Sequence, residues 1–239
     1  MTPPTKPAPP AASDSRAPAL DPLLALGVVA FVAALVRAAL FTPADAMQGM
    51  AQKILYVHAP SAFTALYLAC GLVFVCSALW LWLKDERLDR LSESAAEVGL
   101  AFMTVVLITG PLWGRPIWGA YWTWDAKLTA SLFLWFVLLG YHILRGAVED
   151  PEQRARFSAV LGILAGCLVP FIHLSVYLFR TLHPMPVLLK PSAPSMPSEM
   201  LLSFVLSMAA IILLFAGLLR ARYRLAIDLA EIEHLEARG

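Results

Sequence analysis

Six stretches of the chain are almost wholly apolar and follow one another at short intervals: 23–41, 60–83, 92–112, 127–147, 157–179 and 200–219. Each has about 20 residues, the length of an α-helix that crosses the ~30 Å hydrocarbon core of a bilayer at ~1.5 Å per residue. Backbone amides find no water there, so such runs are stable only as helices. The pattern predicts an all-α, polytopic membrane protein with six transmembrane helices. Ala44-Asp45-Ala46 after the first run mimics a signal-peptidase site, but the run is long for a signal sequence and reads as an anchor.

Polar positions between the runs set the topology. Twelve of the 18 Lys and Arg residues fall in the N-terminal tail, after runs two and four, and beyond run six. The positive-inside rule makes that side cytoplasmic, with both termini on it. Residues 1–20, rich in Pro and Ala, read as a disordered tail, 21–220 as the membrane domain and 221–239 as a charged cytoplasmic helix. The cytoplasmic connections read as solvated turns. A hydrophobic content of 59% with only 15% charged residues excludes a soluble domain, and nothing in the charge pattern points to nucleic acid. Cys70, Cys76 and Cys167 lie inside apolar runs as small core residues, and no Cys-x-x-Cys-His is present to attach haem covalently.

The outer connections, 42–59, 113–126 and 180–199, carry the candidate chemistry. In the first, Met47, Met50, Ala51, Ile54, Leu55 and His58 recur at helical spacing, which predicts a short helix lying on the outer surface, with Pro60 opening the next helix. The second follows Gly110-Pro111, where helix three is expected to end. It holds Trp113, Trp118, Trp122 and Trp124 with Tyr121, Arg115, Gly119 and Asp125. Were its second half helical, Trp118, Tyr121, Trp122 and Asp125 would share one face. An interfacial aromatic belt accounts for some of these rings, but four of seven tryptophans in one short stretch favour a platform for a flat ligand. Asp125 is placed to cap helix four. The third connection delivers His183. His173, ten residues earlier, is roughly 15 Å deeper on a straight helix and reads as a carbonyl-bonded imidazole.

Two histidines therefore leave the membrane on the side that carries the tryptophans. That combination suits haem, with His58 and His183 on iron, indoles against the macrocycle, and Arg115, Lys127 and Arg180 available to its carboxylates. A transmembrane b-type cytochrome is an alternative, although it normally pairs histidines inside facing helices. A small-solute transporter is another, although paired broken helices with polar groups at mid-membrane are scarce here.

Trp118-Gly119-x-x-Trp122-x-Trp124-Asp125, followed by Ala126-Lys127-Leu128-Thr129 and flanked by the two histidines, resembles the tryptophan-rich "WWD" haem-handling motif of the cytochrome c maturation proteins. Six helices and this length resemble the small member family, CcmC or haem exporter protein C, over about residues 20–220. The resemblance implies a protein of the bacterial inner membrane that binds haem b non-covalently and delivers it to a periplasmic haem chaperone, a role that can extend to assisting attachment of haem to that chaperone. It further implies ABC transporter subunits and a small single-helix membrane subunit as partners, His58 and His183 as axial ligands, and the tryptophan stretch as the surface for haem and chaperone. The chain departs from the pattern at Tyr121, where the family has tryptophan, and at Leu178-Phe179-Arg180 ahead of Thr181-Leu182-His183, where it usually has Trp-Trp-Asn.

Overall fold

The computed structural model describes residues 21–184, 196–236 and 238; the tail at 1–20 and the middle of the proline-rich third connection lie outside the described residues. Six helices carry the chain: α1 (Pro22–Phe41), α2 (Met50–Leu83), α3 (Glu86–Trp118), α4 (Ala126–Ala147), α5 (Pro151–Leu178) and α6 (Ser198–Glu236). Each is long and apolar enough to cross a membrane, and among the described residues there are no strands. Four helices begin on an aspartate, Asp21, Asp85, Asp125 or Asp150, whose carboxylate accepts from backbone N–H groups in the first turn. These caps satisfy amides that have no partner within the helix, and place negative charge at the positive end of the helix dipole.

α1 lies along α6, α2 and α3 form the middle of the bundle, and α5 packs against both α2 and α4. Small residues allow the closest approaches, as expected where lipid removes any hydrophobic gain from helix association. A Cβ on Gly217 would come within 2.6 Å of the Leu24 Cα, and one on Gly27 within 2.7 Å of the Leu214 Cα, so the α1 and α6 backbones touch at these glycines. One core cluster joins Cys70, Val73, Ala95, Leu134 and Ile172; a second joins Ala69, Phe102, Met103, Ile211 and Phe215. Cys167, expected to be a core residue with the other two cysteines, is exposed, whereas Cys70 and Cys76 are buried.

The end of the bundle that holds the two tight connections α2–α3 and α4–α5 is less solvated than its composition suggests. Arg145 on α4 has only 8% of its side chain exposed. It grips Asp89 on α3 with two bonds of 2.8 and 2.9 Å and Glu93 with a third of 2.9 Å. Arg222 pairs with Glu97, and Asp21 pairs with Arg220 and Arg224, so α1, α3, α4 and α6 are tied by charge. A bidentate guanidinium held this far from water is worth more than an exposed pair. The turns themselves, at 84–85 and 148–150, are largely exposed; the shielded charge lies on the helices beside them.

Three further expectations differ from the fold. α3 continues through Pro111 and Pro116 to Trp118, because a proline inside a membrane helix costs little when its neighbours re-satisfy the freed carbonyls. No separate surface helix forms in 42–59: Asp45 closes a turn through the Met47 and Gln48 amides, and α2 starts as a 3₁₀ turn at Met50–Ile54. Pro60 then sits inside α2, and its hydrogen bonding widens to a π pattern over Thr64–Ala69. At the far end of the chain, α6 is one 39-residue helix, roughly 58 Å long, so the charged segment from 221 continues the last span without a break. A buried bond of 2.7 Å between Thr42 and Ser203 hydroxyls fixes its other end to the first connection.

Gly217→Val is expected to lower stability by ~1–3 kcal/mol through overpacking against the Leu24 backbone. Thermal unfolding of the detergent-solubilised protein measures this, and Gly71→Val, at a position with open space beside it, serves as the matched control.

Candidate functional site

His58 stands in the first α-helical turn of α2, and its Nδ1 lies 2.9 Å from the Thr109 hydroxyl on α3. Thr109 has one hydroxyl hydrogen, which it donates to the Val105 carbonyl at 2.7 Å. It therefore receives the His58 Nδ1–H, and the Nε2 lone pair of that ring remains available. Gly110 admits the imidazole against α3: a Cβ there would stand 3.2 Å from His58 Cε1. Trp113, one turn further along, meets the same imidazole edge to face, with centroids 5.8 Å apart. Its indole N–H donates to the Gln48 side chain at 3.0 Å, which pins the first connection to the end of α3.

His183 follows α5, and its Nδ1–H donates to the Pro184 carbonyl at 3.0 Å, again leaving Nε2 with a lone pair. The segment bearing it is tied to the tryptophan stretch through Asp125. One carboxylate oxygen accepts from Leu128 N–H at 2.9 Å and caps α4; the other accepts from Leu182 N–H at 3.3 Å and from the Thr123 hydroxyl at 3.4 Å. Asp125 thus joins a helix start to the residue before the histidine. Lys127, in the first turn of α4, is an electrostatic neighbour of both imidazoles, and they are neighbours of one another. Burial, and after it the Lys127 charge, holds the His183 imidazole down to about 4 from the ordinary 6.5. At neutral pH it is a base with a free ring nitrogen, the state a metal ligand requires.

The tryptophans do not form a single helical face. Gly119, at φ 76°, ends α3 in the left-handed region that only glycine enters at no steric cost, and 122–125 run on without helical structure. Trp118 folds back over Gly114, where a Cβ would stand 2.9 Å from its ring. Trp122 and Trp124 meet edge to face at 5.7 Å and 76°. The Trp122 indole N–H is buried without a partner among the described residues, whereas Trp124 is 76% and Tyr121 59% exposed. Arg115 is turned onto the Gly119 carbonyl at 2.5 Å and over the Tyr121 ring at 5.7 Å, so it shapes this turn. Arg180 is exposed beyond α5. Of the three cations expected near the site, Lys127 stands beside the imidazoles.

Thr109 and Gln48 were not singled out from the sequence. The signal for Thr109 was weak, one of several hydroxyls in the third apolar run, set apart only by Gly110 beside it, and only the fold shows that it faces His58. Among the described residues no group of three or more His, Cys, Asp or Glu side chains converges on one point. Two imidazoles beside apolar rings suit a metal that brings its own equatorial ligands.

Fold and site together define a six-helix integral membrane protein with paired, metal-competent imidazoles and an aromatic surface at one end of the bundle. Residues 6–238 match the family model for Heme exporter protein C. Proteins of that name from Haemophilus influenzae (35% identical over 211 residues, 87% of this chain and 85% of the relative) and Bradyrhizobium diazoefficiens (34% over 203 residues, 85% and 77%) are similar along most of their length. A third, from Rhodobacter capsulatus, is 30% identical over 217 residues, 90% of this chain and 89% of its own. The chain belongs to the Heme exporter protein C family.

Asp125→Ala removes a helix cap, for which ~1–2 kcal/mol is expected, together with the hold on Leu182. Amide hydrogen exchange should quicken at Leu128 and Leu182 together, while the Gln153 amide, capped by Asp150, stays protected. In haem-free protein, the His183 ring should titrate near pH 4 by NMR instead of 6.5. As pH falls from 6.5 towards that value the unfolded chain takes up the proton first, so the folded state loses stability across this window and keeps it above.

Proposed function

We propose that this protein binds haem at the periplasmic face of the bacterial inner membrane and delivers it to a periplasmic haem chaperone during cytochrome c maturation. The carrying observation is the matched pair of imidazoles, His58 and His183, each with Nδ1 engaged and Nε2 left for iron. Haem as cargo supplies four equatorial nitrogens and two axial positions for such a pair. Thr109 and the Pro184 carbonyl hold the two rings in the ligating tautomer. Lys127 offers a cation to a propionate, and the unpartnered Trp122 N–H offers a donor. Family membership, the six spans and the distribution of basic residues support this side, compartment and cargo. An ABC transporter and a small single-helix subunit belong to the same reading as partners.

Delivery requires a site that orients without trapping. Aromatic contacts add roughly 0.5–1.5 kcal/mol each beyond area burial, and most of Trp124 and Tyr121 faces outward. Those two rings form the surface a chaperone would meet first. His183 lies in a short stretch after α5 held to the rest by Asp125, whereas His58 is built into a helix. Release therefore begins at His183, the ligand with the less rigid support.

Detergent-solubilised protein should show a Soret band with the low-spin signature of two imidazoles. His58→Ala and His183→Ala should each lose that signature and stop cytochrome c maturation in cells. Retention of both in the double variant would refute the assignment.

A further inference from the structure

The two proposed ligands belong to different helices, His58 to α2 and His183 to the segment leaving α5, so their separation is set by how these helices diverge. Towards the opposite end they are in close contact: a Cβ on Gly166 of α5 would stand 2.5 Å from Phe74 of α2. From that contact the helices part around a cleft of about 170 Å³, which Phe74 and Gly166 themselves help to line together with Leu66, Tyr67, Val169 and Pro170. Both helices also lose regular hydrogen bonding at this level. α2 carries its π segment at Thr64–Ala69, and α5 carries Pro170, which lacks an N–H to donate. Each is therefore free to bend here, and a bend would alter the gap between the imidazoles.

One polar bridge crosses the opening. The Tyr67 hydroxyl on α2 lies 2.6 Å from His173 Nδ1 on α5, the one side-chain hydrogen bond between these two helices among the described residues. Phe63 packs on Tyr67, and Tyr177 on His173, one turn nearer the proposed site on each helix. A hydroxyl and a ring nitrogen inside a membrane span are each costly to leave without a partner, so the bond between them is favoured.

We infer that Tyr67 and His173 form a positioning clamp: their hydrogen bond fixes the divergence of α2 and α5 and hence the spacing at which His58 and His183 present their ring nitrogens to haem iron. His173 does not bind iron in this arrangement, since its Nδ1 is engaged and it stands ten residues before His183 in the chain. The inference rests on the haem reading given above, and its test has an arm that needs no haem.

Tyr67→Phe, His173→Leu and the double variant would be compared with the parent by visible spectroscopy, electron paramagnetic resonance and haem dissociation rate. Each single variant should convert part of the haem to a high-spin, five-coordinate form and speed dissociation several-fold. The double variant should be no worse than either single one, because both remove the same bond. His173→Asn, whose amide can occupy the place of Nδ1, should restore the low-spin spectrum where His173→Leu does not. In the haem-free arm, nitroxide labels at Met50→Cys and Phe179→Cys in a Cys167→Ser background report the α2–α5 gap. Tyr67→Phe should broaden that distance distribution. Unchanged spin state and dissociation in the variants, additive losses, or an unchanged label distance would each overturn the clamp. A broadened distance in a protein that binds no haem would uphold the clamp and remove the haem reading instead.

Discussion

Hydrocarbon tolerates no unpaired peptide group, and the rest of the structure follows from that constraint. It forces each apolar run into a helix and drives irregular backbone to the ends of the bundle. The exceptions inside the spans are few and local: the π turn of α2, the π turn at Arg37–Phe41, and the prolines of α2, α3 and α5. Most cluster towards the end that carries the tryptophans. The departures from ideal helix lie where side chains had to be aimed, consistent with π segments and prolines marking functional stretches of membrane helices.

The candidate site is assembled from helix ends and the connections between them. Gln48 and Thr42 tie the first connection to Trp113 and Ser203, Asp125 ties the second to Leu182, and Thr109 ties α3 to His58 of α2. None of these bonds is strong in isolation. Their effect is entropic: each removes freedom from a segment that would otherwise have to be ordered when cargo arrives.

The spans and the candidate imidazoles were legible in the sequence because both depend on local signals, hydropathy over 20 residues and single polar residues at its margins. Asp125 as a helix cap was legible for the same reason. The Trp118–Asp125 face was not, because Gly119 breaks the helix, and whether a glycine near a proline pair ends a membrane helix depends on its neighbours in space. The length of α3 was misjudged at Gly110-Pro111, where the rule that proline stops helices holds for water and weakens in lipid. Thr109, Arg145 and the Tyr67–His173 bond are long-range pairings, and no periodicity in one segment announces its partner. The chemistry of His173 was read as a carbonyl bond; the structure gives it a tyrosine.

α6 runs for 39 residues without proline or a π turn, from the Thr42–Ser203 bond at one end to a charged extension at the other. A rod of that kind has no internal joint at which to absorb a load. Its charged end is fastened by Arg222 to Glu97 of α3 and by Arg224 to Asp21 at the start of α1, and at its other end Met200 and Ser203 are buried, the latter bonded to Thr42. One unbroken element therefore joins the salt-bridged end of the bundle to the end that carries the tryptophans.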